Sequence, residues 1–278
     1  MKLKLFIIIS VFIIIVSVSI KVLDAKGENM KVDLSELKAV PQGQWDALAN
    51  KKIYFGHQSV GYNIIDGIKD IMVEMPDIKL NIVETRKPND FNQGIFAHSP
   101  VGANCKPLSK VDDFKKIMDS GVGAKVDIAF FKFCYVDVVG NTDINQVFDY
   151  YVKIMQELQV KYPKVRFVHM SVPLNSTPTD IKAKIKRMLG KSTWTDEDNI
   201  KRNEFNQKLV EKLGDKVFNL AKYEATKLDC STDGFNVGNK KYLSMVPEYT
   251  EDGGHLNKIG REAIGSQLLI FLKGIVDN

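Results

Sequence analysis

Groups that bind metals or form disulfides are scarce in this sequence of 278 residues. An odd number of cysteines, widely spaced, allows at most one intramolecular disulfide among Cys105, Cys134 and Cys230. The four histidines are scattered, and neither Cys-x-x-Cys nor His-Glu-x-x-His spacing occurs. Because metal centres in proteins usually draw on such spacings, a metalloenzyme is not expected and no metal site is predicted.

A large excess of one charge is also missing. Lys and Arg total 39 against 34 Asp and Glu, a formal net charge of +5. In the one basic stretch, residues 181–189, no aromatic residues are interleaved with the basic ones, so nothing indicates nucleic-acid binding.

One basic stretch, residues 181–189, combines four cationic side chains with apolar ones at helical spacing, namely Ile181, Ile185, Met188 and Leu189. This pattern predicts a helix whose apolar side chains face inward and whose lysines face solvent. The alternative is a patch that contacts anionic cell-wall polymer or lipid headgroups.

No linker or low-complexity segment divides the chain, and its 44% hydrophobic content is ample for a core. Lys2 and Lys4 precede an uncharged, mostly apolar run at residues 5–20, which is typical of an export signal. Because the run is slightly shorter than a spanning helix and its cleavage site is weak, both a cleaved signal peptide and a retained membrane anchor stay open. We predict a signal peptide or N-terminal anchor at residues 1–25, a spacer at 26–40, one domain at 41–278 and an extracytoplasmic location.

After the spacer, strand-like and helix-like patterns alternate. Strands are predicted at residues 52–55, 78–83, 126–133, 165–170 and 216–220, and helices at residues 42–49, 62–72, 109–118, 145–161, 180–189, 196–213 and 256–276. Strands separated by helices need crossover connections, which give a parallel sheet covered on both faces. The predicted fold is therefore a three-layer α/β/α sandwich around a mostly parallel five-stranded sheet.

Two distant segments carry the residues of a nucleophilic site. Ser59 follows the first predicted strand in a glycine-flanked turn, and Asp252 lies three residues before His255 at the mouth of the last predicted helix. A carboxylate that accepts the Nδ1 proton fixes the tautomer in which Nε2 can take a proton from a serine hydroxyl. We therefore predict Ser59 as nucleophile, His255 as general base and Asp252 as its orienting acid. The alternative for Ser59 is simple capping of the helix that follows.

Together these segments resemble the SGNH (GDSL-like) hydrolase superfamily over residues 50–275. Gly56-His57-Gln58-Ser59 stands where that family has Gly-Asp-Ser, one residue longer, and Asp252-x-x-His255-x-Asn257-x-x-Gly260 fits its closing motif. The resemblance implies a flavodoxin-like sheet in which the first strand lies beside the second and third. It also implies an oxyanion hole built from the backbone of Ser59, a glycine after the second strand and an asparagine after the third.

The oxyanion residues fit this family pattern in part. Gly102 lies in the expected loop and is the candidate glycine. At the place of the asparagine the chain has Val136, and Cys134 stands where a glycine is usual. Asn104 is the candidate for the missing amide, the alternative being an ordinary loop residue that bonds its own backbone.

Three further side chains near these segments need a role. His57 is a candidate for binding substrate, the alternative being a structural histidine bonded to backbone. Lys132 interrupts an apolar strand and is expected to reach water, because a buried lysine would need an acidic partner. Cys134 is expected to be a small buried thiol and not a nucleophile.

These observations predict an exported serine esterase that needs no cofactor and forms an acyl-enzyme on a small-molecule or glycan ester. Acetylated polysaccharide is a reasonable substrate for an extracytoplasmic enzyme. Two alternatives stay open: an O-acetyltransferase acting on a surface polymer, and a catalytically silent carbohydrate-binding domain. Acyl length and oligomeric state are not indicated by the sequence.

Overall fold

The computed structural model describes residues 31–277, with Trp194 described by its backbone alone. The predicted signal peptide or anchor, residues 1–25, and residues 26–30 of the predicted spacer lie outside the described residues. A compact unit begins at Leu34. Because the side chains of Leu34 and Leu37 are buried, residues 34–40 belong to this unit, and the prediction of a spacer up to residue 40 was wrong there.

Nine strands occur in the described part of the chain. In order they are β1 Lys52–His57, β2 Ile82–Glu84, β3 Ile95–Pro100, β4 Ile128–Phe131, β5 Arg166–Phe167, β6 His169–Met170, β7 Val217–Phe218, β8 Gly234–Val237 and β9 Lys240–Leu243. The first five form one parallel sheet, β6 pairs with β7 in parallel, and β8 and β9 form an antiparallel hairpin.

The helices of the same part of the chain are α1 Ser35–Lys38, α2 Gln42–Ala49, α3 Val60–Glu74, α4 Pro107–Ile117, α5 Ile144–Lys161, α6 Ile181–Met188, α7 Trp194–Leu213, α8 Leu220–Glu224 and α9 Lys258–Asp277. The short helices α1 and α8 were not predicted, and the other seven fall close to their predicted positions. None of the helices within residues 31–277 combines the length and apolar character needed to cross a membrane.

The five-stranded sheet has the order β2-β3-β1-β4-β5, so β1 lies between β3 and β4. The predicted three-layer α/β/α class is confirmed, but the predicted neighbours of the first strand are corrected. Strand β3 was missed, and it lies between β1 and β2. Its apolar residues end at Ala97, and the next two, His98 and Ser99, are buried although both are polar. A polar strand that follows a loop rich in Asn, Asp and Gly gives little apolar signal.

Helices cover both faces of the sheet because successive strand side chains point to opposite sides. On one face, Tyr54 of β1 and Phe131 of β4 belong to a buried cluster with Phe114 of α4 and Tyr151 of α5. On the other face, helices α3 and α9 pack against each other. These two helices begin just after Ser59 and His255, so their packing brings the two distant segments of the sequence together.

Glycines allow the close approach of α3 to α9. A Cβ atom at Gly67 would lie 2.0 Å from the Arg261 backbone oxygen, and one at Gly265 would lie 3.0 Å from the Gly67 carbonyl carbon. An ion pair from Arg261 Nε to Asp70 Oδ2, 2.7 Å long, joins the same helices. The register of α9 on α3 therefore fixes the segment that carries His255 relative to Ser59.

Gly67→Ala is expected to lower stability and, with it, the esterase activity predicted from the sequence. The added methyl group must push α9 away, and overpacking of this kind costs about 1–3 kcal/mol. The matched control is Gly274→Ala, in the same helix α9, because a Cβ atom there would meet nothing within 4 Å. Urea unfolding and p-nitrophenyl acetate hydrolysis measure the two effects; equal stability of both variants would contradict the role given to this contact.

Candidate active site

Ser59 lies in a strained turn between β1 and α3. Its φ of 53° and ψ of −116° place a non-glycine residue in the left-handed half of backbone space, which is costly for a side chain with a Cβ atom. The turn is held by the bonds from Gly61 N to Gln58 O and from Tyr62 N to Ser59 O. Strained positions of this kind concentrate at functional sites, where they push a side chain out of the turn.

The Ser59 hydroxyl does not cap helix α3, because no side-chain capping bond is formed there. Instead Ser59 Oγ lies 2.6 Å from His255 Nε2. His255 Nδ1 in turn lies 2.6 Å from Asp252 Oδ2. The structure thus brings together the three residues predicted from two segments almost two hundred positions apart, in one hydrogen-bonded chain.

Asp252 is held in its charged form. Burial alone would raise its pKa, but hydrogen bonds from the His255 backbone, the His255 ring and the Gly254 N–H outweigh it and hold the pKa far below the usual range. A charged carboxylate can only accept, so His255 Nδ1–H donates to Asp252. In the neutral ring Nε2 then has a free lone pair, and Ser59 Oγ–H donates to it.

Hydrogen bonds made by the two residues after His255 hold the segment that carries the imidazole in place. Leu256 N donates to Asn63 Oδ1, 3.2 Å away on the first turn of α3. Asn257 Oδ1 accepts from Gly260 N at 3.0 Å and closes the beginning of the last helix. The side chains of His255 and Asp252 stay 44% and 57% exposed. The pair is therefore fixed in position and still open to a substrate from solvent.

Gly102 was predicted to donate its backbone N–H to an oxyanion, and the structure does not support that role. Its N–H already donates to Asp113 Oδ2 at 3.0 Å. With φ at +55° and the Lys110 backbone 2.6 Å from where a Cβ atom would be, this position requires glycine for conformational reasons. Gln58 Nε2 donates to the carbonyl oxygens of Val101 and Gly102, which ties this loop to the turn of Ser59.

Asn104, the candidate for the missing amide, lies in the same loop and is exposed. Its Oδ1 accepts from Lys110 Nζ at 3.0 Å, which leaves Nδ2 as the atom able to donate to another group. Lys110 is fully buried and also pairs with Asp137 Oδ2 at 3.3 Å. A buried ion pair therefore holds the orientation of the Asn104 amide.

Lys132 was predicted to reach water, and this is wrong because its side chain is fully buried. It follows the last residue of β4, where its N–H donates to Gly56 O and the loop after the strand covers it. Its ammonium group lies 3.3 Å from Phe133 O and 3.6 Å from Cys134 Sγ. Burial lowers its pKa. Cys134 is buried as predicted, and all three cysteines are free thiols.

His57 does not meet solvent, so the prediction that it binds substrate is wrong. Its side chain is fully buried under the edge of Tyr62, and its Nε2 lies 3.0 Å from His98 Nδ1. Burial, helped by the positive charge of Lys132, lowers the pKa of His57 to about 2 and keeps the ring neutral. The partner is a histidine of the missed strand β3, which no pattern around His57 could indicate.

Sequence reasoning also missed residues that support the Asp252–His255 turn. Asn175 Nδ2 donates to Gly253 O at 3.0 Å, and Asn175 Oδ1 accepts from the buried Arg202. Arg202 Nε also donates to the carbonyl oxygen of Tyr135, whose ring lies edge-on to His255 at 5.8 Å. Among the residues that hold the segment around His255, only Asn63 had a signal in the sequence, because it lies one helical turn after Ser59.

A cleft of about 600 Å³ opens between the loops that follow β3 and β4. Strand β1, which ends just before Ser59, lies between these two strands, but Ser59, Asp252 and His255 do not line the cleft. Its walls include Cys105 and, from the first turn of α4, Leu108 on one side, and Val136 and Val139 on the other. No cluster of three or more potential metal-ligating side chains occurs among residues 31–277.

Comparisons with known proteins give only distant similarity. No protein-family model matches the chain, and no curated protein matches it. A solved structure from Streptococcus pneumonia, provisionally assigned as a platelet activating factor, is 18% identical, covers 92% of this chain and 99% of its own, and has a TM-score of 0.45. The periplasmic domain of a lipopolysaccharide acetyltransferase from Salmonella ser. Paratyphi A is 11% identical, covers 80% and 84%, and has a TM-score of 0.41.

A third structure, from Chitinophaga pinensis DSM 2588 and provisionally assigned as a lipase, is 14% identical, covers 80% of this chain and 97% of its own, and has a TM-score of 0.37. At such low identities and TM-scores, these similarities say nothing about the reaction or substrate of this chain.

Proposed function

We propose that this chain is a serine esterase of the SGNH type. The observation that carries the proposal is the hydrogen-bonded chain from Asp252 through His255 to the Ser59 hydroxyl, at a strained and solvent-accessible turn. Serine hydroxyls are weak nucleophiles until a base takes their proton, and this arrangement supplies such a base.

In the proposed reaction, Ser59 Oγ attacks the carbonyl carbon of an ester while its proton passes to His255 Nε2. The tetrahedral intermediate then collapses, and His255 returns that proton to the oxygen of the leaving alcohol. Water, deprotonated by the same nitrogen, attacks the acyl-enzyme and releases the acid together with free Ser59. Asp252 keeps its charge throughout and stabilises the imidazolium that forms twice.

We assign the oxyanion hole to the Ser59 N–H and the Asn104 side-chain amide. The Ser59 N–H makes no hydrogen bond to another residue of the described chain. Asn104 Nδ2 is the donor that remains once Lys110 occupies Oδ1. Helix α3 begins directly after Ser59 and adds the positive end of its dipole. Gly102 drops out of this assignment because Asp113 occupies its N–H.

Asn104→Ala is expected to lower kcat for p-nitrophenyl acetate about a hundredfold and to leave KM almost unchanged, since an oxyanion donor acts mainly in the transition state. The matched control is Asn141→Ala, an exposed asparagine of the cleft on the opposite loop. Lys110→Met is expected to reduce kcat as well, because the amide loses its fixed orientation. A kcat within twofold of wild type for Asn104→Ala would remove Asn104 from the oxyanion hole.

For the substrate we propose an acyl ester on a polysaccharide, cleaved outside the cytoplasm. The open position of His255 and Asp252 suits a bulky polymer, and residues 1–25 have the pattern of an export signal. No cofactor takes part in the proposed steps, and membrane anchoring by residues 1–25 is part of the same proposal.

Hydrolysis of p-nitrophenyl acetate by the full chain, with and without an acceptor glycan, tests the function. An esterase releases p-nitrophenol at a rate that does not depend on the glycan. A rate that rises with the glycan, with acetyl groups found on its hydroxyls by mass spectrometry, would establish an O-acetyltransferase instead. Absence of release from folded protein would favour a silent carbohydrate-binding domain.

A further inference from the structure

Helix α6, Ile181–Met188, and the residue after it expose apolar side chains to an unusual degree. Ile181 is 75% exposed, Ile185 53%, Met188 83% and Leu189 70%. These four are half of the eight large hydrophobic side chains that are exposed in the described chain. Only Ala183 of the helix is buried. The prediction that the apolar residues face inward was therefore wrong.

The helix is fixed to the domain by its other side. Arg187 forms a bidentate pair with Asp196, at 2.6 and 3.0 Å, and its guanidinium lies 5.0 Å from the centre of the Phe235 ring. Asp180 caps the first turn by accepting from Ala183 N. In these contacts the one arginine of the segment is already paired within the protein. They orient the helix so that its isoleucines and methionine point away from the protein.

Lysines surround the exposed apolar side chains, at positions 182, 184, 186 and 191. Within residues 31–277 the ion pair of this segment is that of Arg187 with Asp196, and none joins these four lysines to a carboxylate. The surface therefore presents positive charge around an apolar centre. A basic helix with exposed aliphatic side chains has the chemistry that matches an anionic bilayer, whose headgroups pair with the lysines while its acyl boundary accepts the apolar groups.

We propose that α6 and Leu189 dock on an anionic lipid bilayer. A soluble polyanion such as a cell-wall polymer pairs with the lysines but leaves Ile181, Ile185 and Met188 in water, so it matches only half of the surface. A second copy of the chain brings the same positive charge to the contact and is repelled by it. The bilayer satisfies both the charge and the apolar side chains.

Docking of α6 on the bilayer orients the domain whether or not residues 1–25 serve as a membrane anchor. The loop before α6 contacts the Asp252–His255 turn, since Ser176 N and Asn175 Nδ2 both donate to Gly253 O at 3.0 Å. Only a short stretch of chain separates Ser176 from Ile181. The docked surface and the rim of the candidate active site therefore lie on connected segments. The docking itself does not depend on the proposed hydrolysis.

An environment-sensitive fluorophore at position 188 tests the proposal in the full chain. The exposed cysteines are first replaced, as Cys105→Ser and Cys230→Ser, and Met188→Cys is labelled with a nitrobenzoxadiazole probe. The matched control is Val160→Cys, because Val160 on α5 has the same 83% exposure as Met188. With phosphatidylglycerol vesicles we expect the probe at 188 to shift to shorter wavelength and to be quenched by doxyl-labelled lipid. The probe at 160 should do neither.

Charge and lipid dependence separate this docking from insertion of the N-terminal segment, which does not require anionic lipid. In pure phosphatidylcholine the probe at 188 should behave like the probe at 160. Lys182→Gln with Lys186→Gln should reduce the binding constant for anionic vesicles about thirtyfold, the effect expected when two lysines are lost from an anionic surface.

Three results would overturn the proposal. The first is identical behaviour of the probes at 188 and 160 with anionic vesicles. The second is a wavelength shift at 188 caused by soluble polyglutamate without quenching by doxyl lipid, which would assign the surface to a polymer. The third is a shift that depends on protein concentration without lipid, which would assign it to self-association.

Discussion

Ser59→Ala is expected to lower kcat for p-nitrophenyl acetate by about 10⁴-fold or more, since removal of the nucleophile from a serine hydrolase leaves only the contribution of substrate binding and the oxyanion hole. The fold should persist, because the Ser59 side chain makes no cap for α3 and its hydroxyl bonds only to His255 in the described chain. Ser120→Ala, which removes a hydroxyl bonded to Ile117 O far from the site, is the matched control.

A glycine at the same position separates the cost of the strained turn from the chemistry. Ser59→Gly removes the Cβ atom at a φ of 53°, so it is expected to raise the free energy of unfolding by about 1 kcal/mol. Its esterase activity should be as low as that of Ser59→Ala. A glycine variant that is less stable than wild type in urea would show that the turn is not strained.

Asp252→Asn is expected to reduce kcat about 10⁴-fold, because an amide no longer enforces the tautomer with the proton on His255 Nδ1. The asparagine keeps an oxygen for the His255 and Gly254 N–H groups, which now lie 2.7 and 2.9 Å from Asp252 Oδ1, so the turn should persist. Glu251→Gln removes an equal charge from the exposed neighbouring residue and should leave kcat unchanged.

The pH dependence of kcat/KM is an independent test of the Asp252–His255 pair. Hydrogen bonds outweigh the effect of burial and keep the pKa of Asp252 far below its usual range, so Asp252 stays charged over the acid limb of the pH profile. The loss of kcat/KM on the acid side should therefore follow one proton, and Asp252 is not the group that binds it. A second proton in that limb, measured with p-nitrophenyl acetate, would contradict the assignment of a permanently charged Asp252.

Much of this fold could be predicted because its helices have strong apolar periodicity. Helix α5, Ile144–Lys161, differs by one residue from the predicted range. Strand β3 could not be found in the same way, since His98 and Ser99 are buried and polar and owe their stability to partners on β1. Cross-strand pairing of polar groups has no period along the sequence, so it appears only in three dimensions.

The residues of the candidate site likewise fall into those that a local sequence pattern predicts and those that depend on distant partners. Ser59 and the Asp252–His255 pair could be predicted because local spacing and glycines carry their geometry. The occupied N–H of Gly102 and the burial of His57 and Lys132 depend on residues from other strands and helices, which a local motif does not contain. The outward side chains of α6 were missed because a periodic pattern gives an apolar face without saying whether the protein covers it.

Covalent labelling with a fluorophosphonate tests the central claim most directly, because this reagent reacts with a serine only when a base and an oxyanion site activate it. The full chain, Ser59→Ala and Asp252→Asn should be treated side by side, digested, and mapped by mass spectrometry. We predict one phosphonyl group on the peptide that contains Ser59, none on Ser59→Ala, and strongly slowed labelling of Asp252→Asn. Folded wild-type protein that stays unlabelled, or carries the label on another serine, would contradict the account.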